Sequence, residues 1–250
     1  MARLIKAVTF DYWNTLYSGN SGVMNDVWPL RFAALREALR AAGAQVTDEE
    51  LGRARTSSFD AYVAAWEGGS HFGAREHVLH VLSFFGATAP SEAVDDATSK
   101  IEEASLRVRL QLLPGVRETI PALAAAGYRL GIISDTSLTP GRLLLTYLEG
   151  DGLISYFSTF TFSDETGFPK PDPRMFKRTL ETLDARPEES AHVGDTPRTD
   201  IAGARALGML AVRYAAAADH EEPPEADFVI RDHRELPDIL ASQGDLRGGR

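Results

Sequence analysis

The 250-residue chain contains no cysteine. That absence excludes thiol nucleophiles, iron–sulfur ligation, thiolate zinc sites and disulfide scaffolds. It accords with a reducing cytoplasm, the expected location. Positive charge is in deficit: 26 Lys and Arg face 36 Asp and Glu, a formal net charge of −10. Binding to nucleic acid or to an anionic membrane leans on clustered Lys and Arg, so neither partner is expected. No apolar run approaches the roughly 20 residues of a membrane span. Residues 1–10 are short and interrupted by Lys6, too broken for a signal peptide, so a soluble and unprocessed protein is expected. Internal repeats are absent, and low complexity is confined to an Ala run at 215–218. The six histidines show no spacing that suggests a zinc site.

What is present suits an ordinary globular protein: 44% hydrophobic and 25% charged residues at a length that allows one large or two modest domains. Residues 4–10 (LIKAVTF) read as a buried strand that ends at Asp11. The Gly/Ser/Asn stretch 18–22 reads as a hinge. Residues 25–111 then carry helical periodicity without strand signals. Four helices are predicted, over 25–42, over 48–66 after a Thr47/Glu50 capping box, over 74–85, and from 91 to about 112. From Pro114 the pattern alternates: helices over 116–126, 140–149, 173–184, 198–207 and 233–241, strands over 128–133, 158–162, 190–193, 209–213 and 227–230. Such alternation implies an α/β fold, a Rossmann-like doubly wound parallel sheet. The expected domains are a core of 1–17 with 112–241, an inserted four-helix domain of 18–111, and a disordered tail at 242–250.

In an open parallel sheet, ligands gather beyond the C-terminal strand ends. Asp11 follows the first strand. Ser134 and Asp135 follow 128–133, Lys170 follows 158–162, and Asp195 follows 190–193 with Asp200 five residues on. Taken singly, an Asp after a strand is more often a helix cap, Ser134 a turn residue and Lys170 a solvated loop lysine. Together Asp11, Asp195, Asp200, Ser134 and Lys170 place three carboxylates, a hydroxyl and a lysine on one sheet edge, with Asp135 beside them. That set suits phosphoryl transfer, where catalysis is mainly positioning and electrostatics. Carboxylates hold a hard cation such as Mg2+, a lysine adds a compact positive charge, and a free carboxylate can attack phosphorus.

The segments FDYWNTL (10–16), IISDTS (132–137), GFPKPDPRMF (167–176) and HVGDTPRTDIAGARALGM (192–209) resemble the haloacid dehalogenase-like superfamily, in its branch with a helical cap inserted after the first strand. The resemblance implies a Mg2+-dependent phosphohydrolase of small phosphate esters that forms an aspartyl-phosphate. It implies Asp11 as nucleophile and metal ligand, and Ser134 as hydrogen-bond partner of the transferred group. It implies Lys170 as the neutralising charge, and Asp195, Asp200 and the Trp13 backbone carbonyl as further metal ligands. Asn14, Thr15, Asp135 and the Trp13 side chain are implied to shape the site. It implies a small phosphorylated molecule as partner, and a monomer or homodimer is expected. Residues 18–22 and 112–115 would act as hinges of a cap that opens and closes.

One residue departs from the family pattern. Its phosphatases usually carry an aspartate two residues after the nucleophile as general acid and base; here Trp13 stands there. An indole does not titrate, and general acid–base help is worth about 100- to 10,000-fold, so slow or substrate-restricted turnover is expected. Asp135, Asp164, Glu165 and Asp172 are candidates to replace it. Two rivals stay open. A 2-haloacid dehalogenase would use Asp11 on carbon without metal, with a cap arginine such as Arg31 or Arg36 holding the substrate; Asp195 favours the metal-dependent reading. A catalytically weakened member would only bind a phosphorylated ligand. The aromatics of 18–111, among them Trp28, Phe59, Tyr62 and Trp66, are expected chiefly to pack the cap helices, with one or two joining Trp13 over the leaving group.

Overall fold

The structure is a computed structural model and describes residues 4–19, 24–217, 219 and 222–245. The chain divides into two compact units: Met1–Gly19 with Leu110–Asp135 and Leu145–Arg250, and Asn20–Arg109 with Thr136–Leu144.

The first unit is built on six parallel strands: β1 (Ala7–Phe10), β2 (Arg129–Ser134), β3 (Phe157–Phe162), β4 (Ser190–Gly194), β5 (Leu210–Tyr214) and β6 (Phe228–Ile230). Their order is β3-β2-β1-β4-β5-β6. Every residue of β1 is buried, as expected of a central strand covered on both faces. Phe10 pairs with Ile132 on one side and Val193 on the other, so β2 runs two residues and β4 one residue past the end of β1. The strand order reverses between β1 and β4, the switch point where open α/β sheets leave a crevice. Ile133, Met175, Phe176, Leu180, Ile201 and Met209 form one of the cores that pack helices onto this sheet.

The second unit carries α1 (Trp28–Ala41), α2 (Asp48–Glu67), α3 (Ala74–Phe84) and α4 (Ser91–Glu103). Thr47 opens α2 with the predicted capping box: the Glu50 amide donates to Thr47 Oγ1 at 3.3 Å and the Thr47 amide to Glu50 Oε2 at 2.8 Å. Leu35, Leu39, Leu51, Val78, Val81, Val94 and Ile101 pack one core between the four helices. The fourth helix ends at Glu103, well short of 112. The Arg31 Nε–H donates to the Ile101 carbonyl at 3.3 Å and its Nη2 to Ser105 Oγ at 3.0 Å, and the chain tightens into a 3-10 turn at Ala104–Arg107. Beyond it Val108 is extended.

The segment Thr136–Leu144 belongs to this helical unit, although the strand–helix alternation assigns it to the core. Leu138 packs on the helical core, Ser137 Oγ lies 3.1 Å from His77 Nε2, and Thr139 Oγ1 lies 2.7 Å from Ser105 Oγ.

The remaining helices are α5 (Val116–Ala125), α6 (Gly141–Gly150), the one-turn α7 (Ser163–Thr166), α8 (Pro173–Thr182), α9 (Ala202–Leu207) and α10 (Leu236–Asp245). Two differ from expectation. The stretch 198–207 begins as a π-type turn at Pro197–Ile201 before α9, and α10 runs on to Asp245, into the expected tail. Most of the 18–22 hinge (20–22), and positions 246–250 of the tail, lie outside the described residues. No described helix is long and apolar enough to cross a membrane.

Candidate active site

Asp11 leaves β1 at the switch point, its amide donating to the Val193 carbonyl of β4 at 2.8 Å. The chain then folds into one tight turn, with the Leu16 and Tyr17 amides both donating to the Tyr12 carbonyl at 2.9 and 3.0 Å. Asn14 makes the turn in the left-handed region, φ 56°, where asparagine is among the few tolerated residues. Its Oδ1 accepts from the Gly19 amide at 3.1 Å; a Cβ on Gly19 would stand 2.9 Å from that oxygen. Trp13 is half-buried with its indole edge-on to Tyr12, centroids 5.3 Å apart. Thr15 is buried, and its carbonyl is 2.8 Å from His233 Nε2.

Lys170 reaches this loop from beyond β3. Its side chain is 3% exposed, and its Nζ donates to Asp11 Oδ1 at 2.5 Å and to Asp200 Oδ1 at 2.6 Å. Its backbone amide donates to Asp135 Oδ1 at 2.8 Å, so the carboxylate after β2 fixes the loop that carries the lysine. Ser134 is fully buried, and its hydroxyl donates to the Asp135 carbonyl at 3.2 Å.

Asp195 and Asp200 come from the segment after β4. Thr196 Oγ1 donates to Asp195 Oδ1 at 3.2 Å, and the Thr196 amide donates to Asp200 Oδ2 at 3.0 Å. Gly194 is required at this bend, because Asp200 folds back against its backbone. Asp11, Asp195 and Asp200 are all buried, and each offers an oxygen within 4.8 Å of the others.

The charges are strongly unequal in environment. Burial raises the pKa of Asp11, with Lys170 opposing. Burial, then the neighbouring Asp11 and Asp200, pushes Asp195 up to about 8. Burial also works against Asp200, but the Lys170 charge and the His192 hydrogen bond outweigh it and hold that carboxyl below its usual range. Lys170 is raised although burial opposes it, because Asp11, Asp200 and Asp135 favour its charged form. Three carboxylates sharing one ammonium are short of positive charge. Their all-oxygen donor set is the kind a hard dication takes.

The structure therefore gathers Asp11, Lys170, Asp195 and Asp200, with Asp135 one hydrogen bond behind. Asp172, a candidate for the missing acid–base group, is occupied elsewhere: it caps α8 through the Arg174 amide at 2.9 Å and pairs with that guanidinium at 2.6 Å. His192 lies in β4 and is fully buried. It packs on Phe176, but its Nε2 also donates to Asp200 Oδ1 at 3.2 Å while Nδ1 lies 2.8 Å from Thr9 Oγ1. Its place two residues before the Gly194–Asp195 pair is the only signal that could have marked it.

A doubly wound sheet with a carboxylate–lysine cluster at its switch point defines an α/β enzyme of the Rossmann-like class. The haloacid dehalogenase-like hydrolase family model matches residues 5–208, and the chain belongs to that family of hydrolases. It is 36% identical over 135 residues to the glyceraldehyde 3-phosphate phosphatase of Pyrococcus furiosus, which covers 52% of this chain and 54% of that protein. It is 32% identical to the glyceraldehyde 3-phosphate phosphatase of Methanothermobacter thermautotrophicus, over 95% of this chain and 100% of that protein. Against several curated relatives the chain spans about half of their length. Among solved structures, a 2-haloacid dehalogenase from Pseudomonas syringae pv. Tomato superposes with a TM-score of 0.69 at 28% identity, covering 95% of this chain and 99% of that one.

Proposed function

We propose that the protein is a Mg2+-dependent phosphohydrolase of small phosphate esters that works through an aspartyl-phosphate on Asp11. The observation that carries this reading is the Lys170 ammonium set between the buried carboxylates of Asp11 and Asp200, with Asp195 beside them. In this reading one Asp11 oxygen attacks phosphorus and the P–O bond to the leaving alcohol breaks. Lys170 keeps Asp11 ionised and balances charge on the phosphoryl oxygens. The Ser134 hydroxyl turns from the Asp135 carbonyl to the phosphoryl group. Water then attacks the aspartyl-phosphate, releasing inorganic phosphate and restoring the carboxylate. Mg2+, held by Asp11, Asp195, Asp200 and the Trp13 carbonyl, would supply charge neutralisation for the carboxylates and the phosphate.

Trp13 limits this chemistry. Its indole donates one hydrogen bond and exchanges no proton, so the leaving oxygen departs without an acid from position 13. Turnover is expected to be slow, or confined to esters with good leaving groups. The relatives named as glyceraldehyde 3-phosphate phosphatases support a small phosphorylated metabolite as substrate. We infer that the helical unit is the cap that selects it.

The test is phosphate release from para-nitrophenyl phosphate with and without Mg2+. Mg2+-dependent release by the wild type, lost in Asp11→Asn, is the expected result. The dehalogenase likeness and Trp13 together favour a second reading, in which Asp11 attacks carbon. Chloride freed from 2-haloacids without metal, and no phosphate released, would establish that reading instead. Silence in both assays, with a thermal shift on Mg2+ and beryllium fluoride, would leave a phosphate-binding member of the family.

A further inference from the structure

Position 233 lies beyond the residues 5–208 that the family model covers, and none of the motifs above includes it. In the fold His233 is fully buried. It opens the short turn His233–Glu235 after β6. That turn is fixed by a capping box, in which the Arg234 amide donates to Asp232 Oδ1 and the Asp232 amide to Glu235 Oε1, both at 2.9 Å. The His233 amide donates to the Pro114 carbonyl at 3.1 Å. Its ring stacks on Tyr214 of β5, centroids 4.6 Å apart at 19°, and leans on Phe10 of β1 at 6.1 Å. The ring is thus held against the sheet, and the backbone against the loop that leads into α5.

The ring's polar edge faces the loop after Asp11. Nε2 is 2.8 Å from the Thr15 carbonyl oxygen, and a carbonyl only accepts, so Nε2 carries the proton. Nδ1 is buried without a partner among the described residues, and burial holds the ring's pKa down to about 4. A neutral ring in a single tautomer follows, with its one N–H aimed at Thr15.

Phe10 and Thr15 flank Asp11, one residue before it and four after. Between them the chain makes the tight turn described above, with Asn14 in a sparsely populated conformation that persists only where the surroundings hold it. We propose that His233 is a positioning residue for Asp11: its Nε2–H anchors the Thr15 carbonyl while its ring backs Phe10, so the carboxylate projects from between two fixed neighbours. The proposal rests on Asp11 being the nucleophile. A misplacement of about 1 Å in such a group can cost on the order of 100-fold in rate.

Two variants test it. His233→Phe keeps a ring for Tyr214 and Phe10 but removes the donor. His233→Gln offers an N–H near the position of Nε2. Amide hydrogen exchange and para-nitrophenyl phosphate kinetics would be measured on each, well below its unfolding temperature. In His233→Phe, exchange at the Leu16 and Tyr17 amides should quicken by about tenfold, the scale of one lost hydrogen bond. Amides of β2 and β3 should be unchanged. kcat should fall by about tenfold or more with KM within a factor of about two, since the tie touches no substrate. His233→Gln should recover most of both effects. Unchanged exchange in His233→Phe, or equal losses in the two variants, would overturn the proposal. Exchange is read without substrate, so an inactive wild type would sink the phosphohydrolase reading and leave this one to be decided by the exchange data.

Discussion

A Cβ placed on Gly194 would stand 2.2 Å from the Asp200 carboxyl carbon. The bare backbone at 194 is what lets Asp200 turn back toward Lys170 and His192. Gly194→Ala should therefore displace Asp200, at a cost of about 1–3 kcal/mol in stability from overpacking. Phosphohydrolase activity should fall by more than about tenfold, because the Lys170–Asp200 pairing shifts with it. Thermal unfolding and phosphate release, measured together, check this; a variant unchanged in both would mean that the segment after β4 yields without cost.

Lys170→Met removes the cation between two buried carboxylates. Breaking a buried pair from one side costs about 3–5 kcal/mol. Addition of Mg2+ should restore part of that loss, since a dication offsets the same uncompensated charge. The measurement is the unfolding temperature of Lys170→Met with and without Mg2+, against the wild type. A Mg2+-induced rise no larger than the wild type's would show that the ion does not offset the charge left by the missing lysine.

Trp13→Asp restores a titrating group at the position where this chain has an indole. Turnover of an alkyl phosphate such as glycerol phosphate should rise by about tenfold or more, out of the 100- to 10,000-fold that acid–base help can give. The gain on para-nitrophenyl phosphate should be smaller, because its phenolate leaves readily without a proton. Equal or absent gains would place the rate limit elsewhere.

His77 gives a pH signature in the helical unit. Burial first, then the Arg31 charge, pulls its pKa down to about 3, while its Nδ1 lies 2.6 Å from Ser58 Oγ. In the unfolded chain the ring takes a proton near 6.5. Between these values the unfolded state binds more protons, so this contribution to stability falls as pH drops from about 6.5. At pH 5 the effect is about 2 kcal/mol. Asp195, pushed up to about 8, works in the opposite sense, so the comparison must be between wild type and His77→Phe. The variant should lose less stability than the wild type between pH 7.5 and 5 in denaturant titrations. Parallel curves would refute the assignment.

The sheet and most of the charged cluster were legible because they depend on local rules. Strand–helix alternation implied the parallel sheet, and Asp11 and Asp195 fall just past strand ends, with Lys170 in the longer loop after β3, where a parallel sheet collects its polar groups. What escaped were residues whose role lies in a distant partner. His192 falls in a predicted strand and His233 at the start of a predicted helix; only the fold reveals that one nitrogen of each meets Asp200 or Thr15. The fourth helix was drawn too long because its apolar pattern runs on past Glu103. A buried side chain from α1, Arg31, takes the Ile101 carbonyl near its end. Asp172 differs in that its partner is local: it caps α8, and Arg174, two residues on, holds its carboxylate.

The helical unit is written in two separate pieces of sequence, Asn20–Arg109 and Thr136–Leu144. The shorter piece begins one residue after Asp135 and brings Ser137, Leu138 and Thr139 to His77, the helical core and Ser105. A domain exchange that cut only at 19 and 110 would carry off four helices and strand the segment they pack on. Recombination that preserves both halves must move two fragments at once, and the second lies directly beside the residues that hold Lys170. Inheritance of the helical unit and of the carboxylate that fixes the Lys170 loop is to that extent linked in this chain, as two genes close on a chromosome are.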